Sequence, residues 1–254
     1  MRLKLIASAG VSSALALAGI SSVASADVAP IGEGGYYEGD YSAYYAPICK
    51  SPAITGAARQ GDNKDDSLVG TERNDLLRGG GGEDTIIGLN GADCLIGEQD
   101  SDDITGNRGN DAIDGGSARD DLFGRDGNDR IVGGGARDKI KGNDGDDRLK
   151  GSNGGDRING NKGDDVVNGQ NGHDRLKGGN NADKLKGRDG DDRLNGQAGA
   201  DKLKGHDGDD SLRDLKGDNV LNCGDGDDKA VTNKKSKVKR NCEKVKRIRN
   251  KNRD

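Results

Sequence analysis

From Gly61 to Val231 the chain keeps a nine-residue register nineteen times without an insertion or deletion. Within it, Gly142–Asn168 reads as three nearly superimposable lines, GNDGDDRLK, GSNGGDRIN and GNKGDDVVN. Position one is Gly in the first seventeen repeats, then Asp214 and Cys223. Position four is Gly in thirteen, and position six is Asp in every repeat except the one holding Asn219. Position eight is aliphatic from Leu68 to Leu221, with Ala230 last. The chain has no Trp, one Phe, 45 Gly and 33% charged against 30% hydrophobic residues, a mix that without a register would point to disorder. Disorder does not keep count, so the repeat decides the fold.

A nine-residue period excludes helices, because one apolar residue in nine cannot form a stripe at 3.6 residues per turn and Gly-rich runs oppose helix. The pattern predicts a turn of about six residues followed by a three-residue strand centred on position eight. Stacked in parallel, the aliphatics make a thin inner core and positions seven and nine face water.

The nonapeptide GGGGEDTII (Gly79–Ile87) matches G-G-x-G-x-D-x-U-x, and the whole array resembles the RTX, or hemolysin-type, calcium-binding repeats. The resemblance implies an all-β protein, a right-handed parallel β-roll with two repeats per coil and ions lodged between stacked turns. The flanks, CKSPAITGAARQGDNKDDSLVG before the array and NCGDGDDKAV with KRNCEKV after it, are similar to secreted calcium-binding repeat proteins of actinobacterial type.

Parallel strands lie about 4.8 Å apart, so a column of like-charged Asp needs something positive within it. Ca2+ suits the column because it takes six to eight oxygens, mixes carboxylates with carbonyls and tolerates irregular geometry, whereas Mg2+ demands a strict octahedron. The expected ligands of multiple Ca2+ ions are Asp84, Asp93, Asp102, Asp111, Asp120, Asp129, Asp138, Asp147, Asp156, Asp165, Asp174, Asp183, Asp192, Asp201 and Asp210, with turn carbonyls completing each shell. The competing account makes these Asp metal-free turn formers. Lys64 and Arg73 at position four, and Ala118 and Ala136 later, are expected to weaken their sites, while Asp100 and Asn181 are milder departures. Asp214 and Asn219 depart together, so a cap without a strong site is expected there.

Residues 1–26 have the charged, apolar and small-residue order of a secretory signal peptide, with Arg2 and Lys4 first and Ala24, Ser25 and Ala26 last. This predicts a secreted, extracellular or surface-associated protein with no membrane span. Typical RTX proteins use another export route, so the leader is a departure from the family. In an oxidising compartment Cys49, Cys94, Cys223 and Cys242 are expected as disulfides. Of three possible pairings, sequence order favours Cys49 with Cys94 and Cys223 with Cys242. Residues 27–60, with five Tyr, read as a flexible segment and N-cap; 61–231 as the roll; 232–254 as a basic cap and tail.

From Arg130 onward positions seven and nine turn basic, and the tail after Val231 carries eleven Lys or Arg against Glu243 and Asp254. These rows either bind an anionic cell-wall polymer or polysaccharide, or keep an exposed sheet from adding to another. Nothing resembles a specific nucleic-acid module. His173 and His206 sit at different repeat positions, and neither H-E-x-x-H nor G-x-S-x-G is present, so no enzyme is expected. The reading is a calcium-binding structural module, with a polyanion-binding adhesin as its rival. The sequence gives no oligomeric state.

Overall fold

A computed structural model describes residues 49, 54–239 and 241–248. The leader, most of the Tyr-rich segment and the last residues of the basic tail lie outside the described residues. Twenty-two strands form two eleven-stranded sheets, each built from alternate strands of the chain. One sheet runs from Ala58–Gln60 to Lys237–Val238, the other from Ser67–Val69 to Lys244–Ile248. Every pairing is parallel, and within the array partners are 18 residues apart, as in Arg148 with Val166 and Leu149 with Val167. Two nonapeptides therefore make one coil. Among the described residues there is no helix, and hence none long and apolar enough to cross a membrane.

Most strands span six residues rather than three. Arg148–Asn153 is typical, with Leu149 and Gly151 facing inward and Arg148 and Lys150 outward. Each strand thus covers positions seven to nine and one to three, leaving a three-residue turn at four to six. Gly at position one hides this extension from the sequence, because Gly ordinarily weakens a strand. Here it occupies a second inward position that has no room for a side chain. The position-eight residues from Leu68 to Leu221 form the core between the sheets, one column from each sheet.

Most strands bend at position two, where non-Gly residues such as Asn143 (φ 87°), Asn161 (φ 85°) and Arg188 (φ 98°) adopt the left-handed region. Position four follows in the same region. Gly145 (φ 133°) shows why Gly prevails there, since a methyl group would lie 2.6 Å from the Gly127 carbonyl carbon of the preceding coil. Asp100 (φ 64°), Asn181 (φ 76°) and Ala136 (φ 61°) accept that conformation without being Gly.

The first coil keeps the register and the last one departs from it. At the start, Ala58 pairs with Leu76, so the coil begins a few residues before the first full repeat. At the end, Val220 pairs with Lys237 and Lys229 with Lys244, with shorter spacings than in the array. Disulfides join Cys49 to Cys94 and Cys223 to Cys242, one near each end.

Candidate metal centre

The repeat unit of the candidate site is one Asp at position six, the Gly five residues before it, and a carbonyl from the next coil. In the unit around Asp156, the carboxylate is buried between the sheets. Its Oδ1 accepts the backbone N–H of Asp138, one coil back, at 2.8 Å. Its Oδ2 is buried and meets no hydrogen-bond donor. A methyl group on Gly151 would overlap this Oδ2 and stand 2.8 Å from the carbonyl oxygen of Gly169. The missing side chain of Gly151 therefore leaves a small space bordered by a carboxylate oxygen and a carbonyl oxygen.

The same arrangement recurs along both edges. All fifteen Asp residues expected from the sequence, Asp84 to Asp210, are buried, and each keeps an Oδ2 without a donor. Their Oδ1 atoms form two ladders that bind successive coils, as Asp129 N–H to Asp147 at 2.8 Å and Asp147 N–H to Asp165 at 2.9 Å. In the Asp column one oxygen of each carboxylate organises backbone and the other is left without a donor.

The first two repeats differ. Asp66 Oδ2 accepts the N–H of Asp62 at 2.9 Å, and Asp75 Oδ2 accepts the N–H of Thr71 at 2.6 Å. Both oxygens are spent within their own turns. Conversely, Asp214 and Asp228 join the set with unpartnered Oδ2 atoms and were not anticipated. Asp228 could have been found by extending the row; Asp214 lies at the wrong repeat position for any pattern to find it.

A second ladder at position five runs the opposite way, from side chain to the following coil. Asn110, Asn128 and Asp146 accept the N–H groups of Asn128, Asp146 and Asp164 at 2.7 to 2.8 Å. His173 serves in the same ladder, its Nδ1 accepting the N–H of Asp191 at 2.8 Å. The irregular composition of position five conceals this role in the sequence.

The energetic signature of the row is electrostatic. Burial pushes the carboxyls of Asp120, Asp129, Asp183 and Asp192 up to about 8, against the lowering effect of the backbone N–H each accepts, and neighbouring Asp in the row raise them further. Asp156 reaches only about 6, because Arg137 joins the backbone N–H in opposing burial. Among the described residues no three His, Cys, Asp or Glu side chains converge on one point, so any ion held here depends on backbone carbonyls as well. An all-oxygen donor set, one anionic oxygen per space and a cradle that a Cβ would fill suit a hard cation.

These are features of a parallel β-solenoid whose turns are built as cation cradles. The model of the RTX calcium-binding nonapeptide repeat matches in overlapping stretches at residues 60–95, 96–131, 123–157, 141–176, 150–185, 168–203, 177–212 and 204–230. The chain belongs to that family. No protein among those of curated function matches it.

Proposed function

We propose that the protein is an exported calcium-binding structural module whose solenoid is consolidated by extracellular Ca2+. The observation that carries this reading is the row of buried, donorless Oδ2 atoms from Asp84 to Asp210. Burying so many carboxylates is costly unless each is neutralised. Within each cradle the Asp Oδ2 and the position-one carbonyl of the next coil would hold the ion. Ca2+ supplies the positive charge that lets the rows stay ionised. The backbone ladders through Oδ1 hold the position-six carboxylates at a regular height along the stack. Export is supported by the order of charged, apolar and small residues in 1–26 and by four cysteines paired in two disulfides. The corresponding layout is a leader at 1–26, an N-terminal segment and cap at 27–60, the roll at 61–231 and a basic cap at 232–254. No residue is assigned a catalytic role, and the position-five ladder already employs His173.

Circular dichroism of the leaderless chain in chelator and in millimolar CaCl2, with bound metal counted by equilibrium dialysis, tests the reading. It expects strand signal and thermal stability to rise together with bound Ca2+. A chain that is equally ordered in both conditions and holds no metal overturns it.

A second reading, a polyanion-binding face, is favoured by the register itself. Lys139, Arg157, Arg175 and Arg193 are consecutive partners across four strands, and the three Arg are exposed. A linear anionic polymer would meet one cation per strand there. Retention on an immobilised anionic cell-wall polymer that falls with salt, and falls further when these four become Gln, supports this reading; retention indifferent to both removes it.

A further inference from the structure

Asp214 occupies position one, where seventeen earlier repeats have Gly, and it is fully buried. Its strand, Ser211–Asp214, stops there, and pairing resumes only as the single bridge between Ala198 and Lys216. The Asp214 side chain enters the space above Gly196. A methyl group on Gly196 would overlap Oδ2 of both Asp201 and Asp214 and lie 2.8 Å from Asp214 Cγ. In the ordinary cradle of the neighbouring edge, at Gly187, the second oxygen is the carbonyl of Gly205, at 2.8 Å from the same imaginary methyl. One cradle therefore has two carboxylates where others have a carboxylate and a carbonyl.

No donor other than the facing carboxyl reaches either Oδ2. Asp201 spends Oδ1 on the N–H of Asp183 at 2.9 Å, and Asp214 Oδ1 has only a long contact of 3.4 Å from the N–H of Lys216. Neither residue takes part in an ion pair among the described residues. The Lys216 side chain is exposed. Without a cation the two buried carboxyls meet in one space through a hydrogen bond to each other, with Asp214 donating, which requires one of them to be protonated.

Asn219 explains how the chain accommodates this. At position six of the same repeat it preserves the ladder, its Oδ1 accepting the N–H of Asp201 at 2.9 Å. Its Nδ2 donates to the Lys216 carbonyl at 2.9 Å, a bond that Asp could not make. In ordinary repeats the position-six Oδ2 fills the space that a position-one side chain would need; here position one has a side chain and position six has no second carboxylate oxygen. The negative charge is moved rather than lost, from position six of this repeat to the cradle one coil earlier.

We propose that Asp201 and Asp214 form a two-carboxylate site for a hard divalent cation, the tightest in the chain. Affinity at such sites rises with the number of anionic ligands. This rests on the calcium-binding reading, which concerns the row as a whole. The test is Ca2+ titration of the full leaderless chain and of its D214N and D214G variants, followed by calorimetry and by amide NMR. D214N keeps the shape and removes the charge, and D214G restores the repeat's usual residue and so remains foldable. In the parent chain the amides of Gly196, Asp201 and Lys216 are expected to shift with the first equivalent of Ca2+, before those of Gly151 and Asp156. In both variants the tightest class should weaken by about tenfold or more while the remaining sites bind as before. The proposal is overturned if both variants bind with the parent's tight class, or if the central cradles fill first. A parent chain that binds no Ca2+ overturns this proposal and the wider reading together.

Discussion

The backbone N–H of Asp129 donates to Oδ1 of Asp147, one coil later, at 2.8 Å, while Oδ2 of the same Asp147 has no donor. One carboxylate therefore has two separable duties, and substitutions can divide them. Asp147→Asn keeps an acceptor for Asp129 and removes the charge, the exchange that Asn219 already makes in the array. In chelator at pH 8 this variant should be at least as stable as the parent, and in saturating Ca2+ less stable, with one fewer ion bound. Asp147→Ala removes both functions and leaves a buried N–H unpaired, at a cost of about 1–3 kcal/mol in either condition. Thermal melts of the three proteins with and without Ca2+ give the comparison; Asn and Ala behaving alike would contradict the division.

The raised carboxyls set a pH dependence for the metal-free protein. Asp120, Asp129, Asp183 and Asp192 are pushed to about 8 by burial, from an ordinary 3.8. Between those values the folded chain binds more protons than the unfolded one, so stability falls as pH rises. The contribution is complete below about pH 4 and lost as pH passes through 8. In chelator, melting temperature should therefore fall from pH 5 to pH 8.5. With saturating Ca2+ the trend should reverse, because protons and ions compete for the same oxygens. Melts at several pH values in the two buffers check both slopes.

Much of this was legible in the sequence because the period places one Asp and one aliphatic at the same height in every repeat. The parallel stacking and the fifteen buried Asp follow from that regularity. What could not be read is carried by residues whose type does not reveal their conformation. Position two holds Asn143, Arg188 and His206 at positive φ, where Gly would be the usual signal. Position-one Gly reads as turn and is strand. Asp214 breaks the pattern at one position and Asn219 at another, and only their shared surroundings show the two changes to be one exchange. Glu243 lies 15 residues after Asp228, not 18, so no register could connect them.

The cradle itself can be filled by a methyl group. Gly151→Ala would press a Cβ onto Asp156 Oδ2 and against the Gly169 carbonyl. Its φ is not in the left-handed region, so the damage is steric and local to the ion space. The expected result is one fewer bound Ca2+ by equilibrium dialysis and a loss of about 1–3 kcal/mol, the usual cost of overfilling a packed interior. An unchanged ion count would show that this space is not where the ion sits.

The last coil depends on a substitute ligand to the ladder. Asp228 is the final position-six Asp, and with no further repeat to supply a carboxylate, Glu243 Oε2 accepts its N–H at 2.8 Å. Glu243 follows Cys242, whose disulfide to Cys223 fixes where that longer side chain begins. The strand Lys244–Ile248 then pairs with Lys229–Asn233 and covers an edge that would otherwise be open to another sheet. Glu243→Gln keeps the acceptor and should be nearly silent, whereas Glu243→Ala leaves the Asp228 N–H unpaired and should cost about 1–3 kcal/mol. In a solenoid each coil rests on its neighbours alone, so the loss should appear as faster amide exchange near Ala230 and Val245 with little change near Leu149. Equal acceleration across the whole array would mean that the cap governs the entire stack rather than its final coil.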